Sequence, residues 1–94
     1  MQSKDFKIWF LYAVECRNGS IYTGITTDPR RRYIQHSTGK GAKYTKSNPA
    51  TKMLFAIPQP DHGTALRAEI AFKKLSREKK LIFCNCVNSR YDIT

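Results

Sequence analysis

Tyr12, Tyr22, Arg32, His36 and Glu69 are the side chains whose types and spacing suggest chemistry. Arg32 and His36 are four residues apart, which on a helix puts a guanidinium and an imidazole on one face. Each residue also has an ordinary explanation. The tyrosines suit strands, and a histidine near a helix C-terminus complements the helix dipole. The run Arg30-Arg31-Arg32 is commonly a solvated helix face. Here the segment after it is basic as well, which turns the run toward phosphate binding. Glu69 is the only acid between Thr64 and Leu75, set among apolar residues. It either pairs with Arg67 or Lys73 or is placed to hold a metal, and spacing alone favours the ion pair.

These side chains need elements to bring them together. Ile8–Val14 is an apolar and aromatic run, and Ile21–Ile25 is a second one, with Asn18-Gly19 between them. That is a strong hairpin signal, predicting strands over about Ile8–Glu15 and Ser20–Ile25. A two-residue turn pairs Tyr12 with Ile25 and sends the tyrosines to opposite faces. A three-residue loop with Gly19 as a left-handed bulge pairs Val14 with Tyr22 and Tyr12 with Gly24, so the tyrosines share a face. It also leaves a gap at Gly24 beside the Tyr12 ring. The sequence leaves both turns open; a tyrosine site requires the bulged one.

Asp28 as N-cap and Pro29 at the first position open a helix running to about Ser37, with Gly39 as its stop and Tyr33 directed inward. Thr38–Lys52 has the composition of a loop. Lys52–Ile57 reads as a third strand closed by Pro58 and Pro60. Asp61 or Thr64 opens a second helix, with Leu66, Ile70 and Phe72–Leu75 as its apolar stripe and Arg67, Lys73 and Lys74 on its wet side. Ser76 caps a third helix over about Arg77–Phe83, with Glu78 in its first turn. The polar start, Met1–Asp5, is expected to fray, and Asn85–Thr94 has no assigned structure. The order β-β-α-β-α-α predicts an α+β domain: a small three-stranded antiparallel sheet flanked by helices. One domain is expected over residues 1–94, with its core at about 8–84.

Charge narrows the partner. The 94 residues hold 17 Lys and Arg against 7 Asp and Glu, a net charge of +10, which argues against an enzyme of small neutral metabolites and for a polyanion. The charge is concentrated: Pro29–Pro60 contains seven basic residues and no acid. An anionic membrane surface is the rival partner, but the apolar runs are too short to span a bilayer and no signal peptide is visible. Cys16, Cys84 and Cys86 are too few for a disulfide framework. Cys84-Asn85-Cys86 also has poor spacing for zinc. A reduced, cytoplasmic protein is the expectation.

Taken together, the motifs resemble a specific family. Phe10-Leu11-Tyr12, followed ten residues on by Tyr22-Thr23-Gly24, resembles the paired tripeptides of the GIY-YIG endonuclease superfamily. Thr26-Thr27-Asp28 with Arg32 and His36 follows at that family's spacing. Gly39–Thr45, Ala65–Glu69 and Lys73–Arg77 are similar to its small stand-alone bacterial branch. Pro29 and Arg30 depart from the leucine and acid that relatives often carry. The resemblance implies a DNA endonuclease that prefers structured substrates or selects weakly. In it Tyr22 is the general base or water-orienting phenol, Tyr12 is its neighbour, and Arg32 binds the scissile phosphate. Glu69 ligates one Mg²⁺ or Mn²⁺, and His36 and Tyr44 line the site. Arg30, Arg31, Lys40, Lys43 and Lys46 are expected on flanking phosphates, with DNA as partner and RNA an open alternative. A non-catalytic nucleic-acid-binding module is the second reading, and a basic adaptor for an acidic protein is the third. A pure binder has no use for a lone carboxylate beside Tyr22 and Arg32, and an adaptor would show little nuclease activity or DNA affinity.

Overall fold

The computed structural model describes residues 7–91; the polar start up to Phe6 and the last residues, 92–94, lie outside the described residues. The hairpin pairs β1 (Trp9–Cys16) with β2 (Ile21–Thr26). Its turn is the bulged one. Gly19 has φ +86°, and the Cys16 amide donates to the Ser20 carbonyl at 2.9 Å. The register sets Val14 against Tyr22 and Tyr12 against Gly24, so both tyrosines face the same way.

Helix α1 (Pro29–Ser37) begins and ends as its caps predict. The Asp28 side chain accepts from the Arg31 amide at 3.1 Å. At the other end Gly39 takes φ +79°, and the Lys40 amide reaches back to the Gln35 carbonyl at 2.8 Å, closing a Schellman-type stop. The expected loop contains a further short helix, α2 (Lys43–Ser47). It has no side-chain cap, and five residues are too few to be helical on propensity alone, so tertiary contacts must hold it. The third strand, β3 (Ala50–Gln59), outlasts its expected bounds at both ends. Pro58 sits within it, opposite Phe10, because β3 is an edge strand and a missing amide costs nothing on the open side.

Sheet order is β2-β1-β3, all antiparallel. Alternation along β1 sends Leu11 and Ala13 to one face and Tyr12, Val14 and Cys16 to the other. The first face carries the main core with α3 (His62–Lys73) and α4 (Arg77–Tyr91), where Phe55, Phe72 and Phe83 meet edge to face at 5.3–5.4 Å. The second face packs against Tyr33 of α1. Asp61, not Thr64, caps α3, accepting the Thr64 amide at 2.7 Å.

The buried stripe of α3 matches the expected one at Phe72 and Leu75 but not at Leu66 and Ile70. Leu66 and Ile70 are 39% and 54% exposed, while Ala65, Ala68, Phe72 and Leu75 face the core. Both stripes have helical spacing, and the alanines win because small side chains let the helix lie close to the sheet. Glu69, four residues after Ala65 and three before Phe72, is thereby on the inward face. Helix α4 also runs past its expected end: Cys84 and Val87 continue its core contacts beyond Phe83.

Candidate active site

The hairpin register brings Tyr12 and Tyr22 onto the α1 face, and α1 lays Arg32 and His36 over them. The gap expected at Gly24 is filled by Tyr12 itself. A Cβ there would stand 2.6 Å from the Tyr12 hydroxyl oxygen and 2.9 Å from Cζ, so the ring crosses directly over β2. Tyr12 is only 1% exposed and His36 is fully buried. The Tyr12 hydroxyl and His36 Nε2 are 2.7 Å apart.

The direction of that bond follows from its neighbours. The Thr45 hydroxyl gives its single proton to the Ala42 carbonyl at 2.9 Å. It must therefore accept from His36 Nδ1, also at 2.9 Å. With the proton on Nδ1, Nε2 is bare and accepts from Tyr12. The chain of donors runs Tyr12, His36, Thr45, Ala42, and it requires a neutral imidazole. Burial, with the Arg32 charge adding, holds the His36 pKa down at about 4. Burial likewise pushes the Tyr12 phenol above its ordinary value, opposed by the Arg32 guanidinium. The fields of Tyr22 and Glu69 push it further up. Tyr12 is a fixed hydroxyl here, not a base.

Tyr22 is different. Its ring lies 5.0 Å from the His36 ring and 6.3 Å from that of Tyr44, nearly parallel to the latter at 8°. Among the described residues no hydrogen bond occupies its hydroxyl. Arg32 is half-buried, held by a 2.8 Å bond to the Gln35 side chain. Glu69 comes from the opposite face of the sheet, but its charge is felt at the Tyr12 hydroxyl, which extends over β2. Its side chain is 18% exposed, and the carboxylate pairs with Lys73 at 3.0 Å, the ion pair that i,i+4 spacing favours.

The basic residues divide. Lys43 and Lys46 flank Tyr44 on α2 and are exposed, as are Arg30 and Lys40. Arg31 borders a separate cleft at the start of α1, with Lys7, Phe10 and Asp28, away from the tyrosines. Gly41, Thr45 and Gln35, which support the site from behind, were not singled out as site residues in the sequence. Gly41 and Thr45 lie in the Gly39–Thr45 run, but no spacing rule tells a supporting threonine from a loop threonine.

For a metal, the donor set is sparse. The described residues contain no cluster of three or more His, Cys, Asp or Glu side chains. One carboxylate fits a hard cation that keeps most of its waters and does not fit zinc.

Comparison with known proteins places this geometry. The model of the GIY-YIG catalytic domain matches residues 8–81. The chain belongs to the GIY-YIG family of nuclease domains. Its similar relatives are UPF0213 proteins. One from Cupriavidus pinatubonensis is 51% identical over 76 residues, spanning 81% of this chain and 84% of the relative. YhbQ of Escherichia coli is 44% identical over 72 residues, spanning 77% and 72%. Among solved structures, the UPF0213 protein BH0048 of Bacillus halodurans superposes with TM-score 0.55 at 39% identity, covering 84% of both chains. EF2693 of Enterococcus faecalis gives TM-score 0.60 at 35% identity, covering 94% of both. No helix among the described residues is long and apolar enough to cross a membrane.

A first prediction arises from the exposed cations. DNA affinity should fall steeply with salt, and neutralising Lys43 and Lys46 together should reduce the log–log slope by roughly two. An unchanged slope, measured by fluorescence anisotropy across a salt series, would mean that α2 faces away from the nucleic acid.

Proposed function

We propose that this protein is a divalent-metal-dependent endonuclease that hydrolyses DNA phosphodiesters in the cytoplasm. The carrying observation is the packing of the tyrosine pair under α1: the Tyr12 hydroxyl crosses Gly24 and bonds His36 at 2.7 Å, and the Tyr22 ring lies 5.0 Å from the same imidazole. Arg32 clamps the scissile phosphate, and its guanidinium matches the spread of charge over the phosphate oxygens. Tyr22, with an unclaimed hydroxyl, orients the attacking water by accepting a hydrogen bond from it. Tyr12 is fixed by giving its own proton to His36, which lies one turn beyond Arg32 on α1. His36 is thus a positioning residue, too deep to touch substrate. Glu69 would hold Mg²⁺ or Mn²⁺, and the bound cation would offset charge developing at the leaving oxygen. Lys73 must release the carboxylate for this, a small cost for a partly exposed pair.

The same Lys73–Glu69 pair is the observation that favours the second reading, a DNA-binding module without catalysis, because the carboxylate already has a cation. One experiment separates the two. Wild-type protein is incubated with single-stranded, nicked and branched DNA, with Mg²⁺ or Mn²⁺, and with EDTA as control. Metal-dependent cleavage of any substrate is expected. Binding with no cleavage under any of these conditions would establish the module instead.

A further inference from the structure

Tyr44 is 40% exposed in the middle of the cationic tract, yet its hydroxyl has nothing left to offer a ligand. The Asn18 side-chain amide donates to it at 2.9 Å. Ser20 Oγ lies 2.6 Å away, and the Ser20 hydroxyl gives its one proton to Asn18 Oδ1 at 2.7 Å. The Tyr44 hydroxyl must therefore donate to Ser20. The result is a closed ring of donors, Asn18 to Tyr44 to Ser20 to Asn18, with the Ser20 amide also bonded to Asn18 Oδ1 at 3.1 Å. Both capacities of the phenol that normally pair with a ligand are spent inside the protein.

What remains available is the ring face, and it is held still. The hydrogen-bonded ring ties α2 to the hairpin turn, and the Tyr44 ring lies nearly parallel to Tyr22, offset at a centroid distance of 6.3 Å. An aromatic face fixed in advance stacks on a planar ligand without the usual ordering cost. Lys43 and Lys46, both exposed, stand on either side of it in sequence. Cations beside a rigid aromatic plane are the means by which proteins bind nucleic-acid strands whose bases are free. Bases inside a continuous duplex present no face to such a plane.

We infer that Tyr44 is a stacking platform for an unpaired base at the nucleotide flanking the scissile phosphate, so that strands with free bases are the preferred ligand over continuous duplex. The inference rests on the nucleic-acid reading above, and adds to it which substrate the site takes.

The test is run in EDTA, so that binding is read apart from cleavage. Wild type, Tyr44→Leu and Tyr44→Phe are titrated against a labelled single strand and a duplex of the same length at one salt concentration. Tyr44→Leu should lose about tenfold in affinity for the single strand and little for the duplex, because its cations are untouched. Tyr44→Phe should fall between wild type and Tyr44→Leu on the single strand, since it keeps the plane and loses the hydrogen bonds that hold it still. In wild type, a single strand carrying 2-aminopurine should be quenched on binding, a readout that needs no variant. Equal loss on both ligands, no loss, or an unquenched probe would overturn the stacking role while leaving the nuclease reading intact. Failure of wild type to bind either DNA would overturn both.

Discussion

Glu69→Gln is expected to abolish metal-dependent cleavage while leaving DNA affinity within a few-fold of wild type. The substitution keeps the volume and the hydrogen-bonding ability of the side chain. It gives up only a partly exposed i,i+4 pair with Lys73, so the fold should persist. What it removes is the one carboxylate that the site offers a hard cation. Arg32→Ala acts on the other side of the phosphate. A clamp whose contacts tighten as charge builds on the transition state shows its loss in the catalytic rate more than in affinity. By comparison with removal of one oxyanion-stabilising donor, the rate should fall on the order of a hundredfold or more. Binding should persist in both variants because Arg30, Lys40, Lys43 and Lys46 stay exposed for phosphates. Single-turnover cleavage and anisotropy on one labelled substrate measure both quantities. Wild-type cleavage rates in Glu69→Gln would remove this residue from the reaction and with it the proposed site.

The parts of the molecule that could be read in the sequence are those fixed by local chemistry. Asn18-Gly19 announced the hairpin, and Asp28, Pro29 and Gly39 marked both ends of α1, because caps and turns are decided by residues a few positions apart. The choice between the two turns was not legible, since Asn-Gly suits either. It is settled by the pairing of whole strands, through the Cys16–Ser20 bond and the register beyond it. Helix α2 was hidden for a related reason. Its residues are indifferent helix formers, and what holds them is Thr45 bonded to His36 and Tyr44 bonded to the hairpin turn. Helix α3 offered two stripes of equal period, and counting bulk favoured Leu66 and Ile70, whereas close packing against the sheet selects Ala65 and Ala68. That error conceals something useful. The alanine face is the one that carries Glu69 inward, so the orientation of α3 and the location of the carboxylate are one fact. Type and spacing singled out the candidate site residues, but their roles come from resemblance, and the groups beside them, Gly41, Thr45, Asn18 and Ser20, come together only once the chain has folded.

The support behind Tyr12 should be the most stability-sensitive part of the site. A Cβ added at Gly41 would overlap His36 Nδ1 and come within 3.0 Å of Thr45 Oγ1. His36 is buried and bonded at both nitrogens, so it cannot swing aside. Gly41→Ala should therefore cost about 3 kcal/mol, combining overpacking with a buried imidazole deprived of its partner. For a domain of this size that lowers Tm by about 12–24 °C. The same imidazole gives stability a particular pH dependence. Unfolded, His36 takes a proton near 6.5, whereas folded it resists protonation down to about 4. Between those values the unfolded chain binds more protons. Stability in wild type should thus be full above pH 6.5 and decline as pH falls toward 4, by about 3 kcal/mol at the lower end. Asp61 contributes in a lower window, since the Thr64 amide holds its carboxyl below the usual range. In Gly41→Ala, with the relay broken and the imidazole no longer sealed in, the decline between pH 6.5 and 4 should be shallower. Urea unfolding of both proteins across that interval measures it. A flat wild-type profile would show that His36 is not held neutral, and a Gly41→Ala variant as stable as wild type would show that α2 yields without cost.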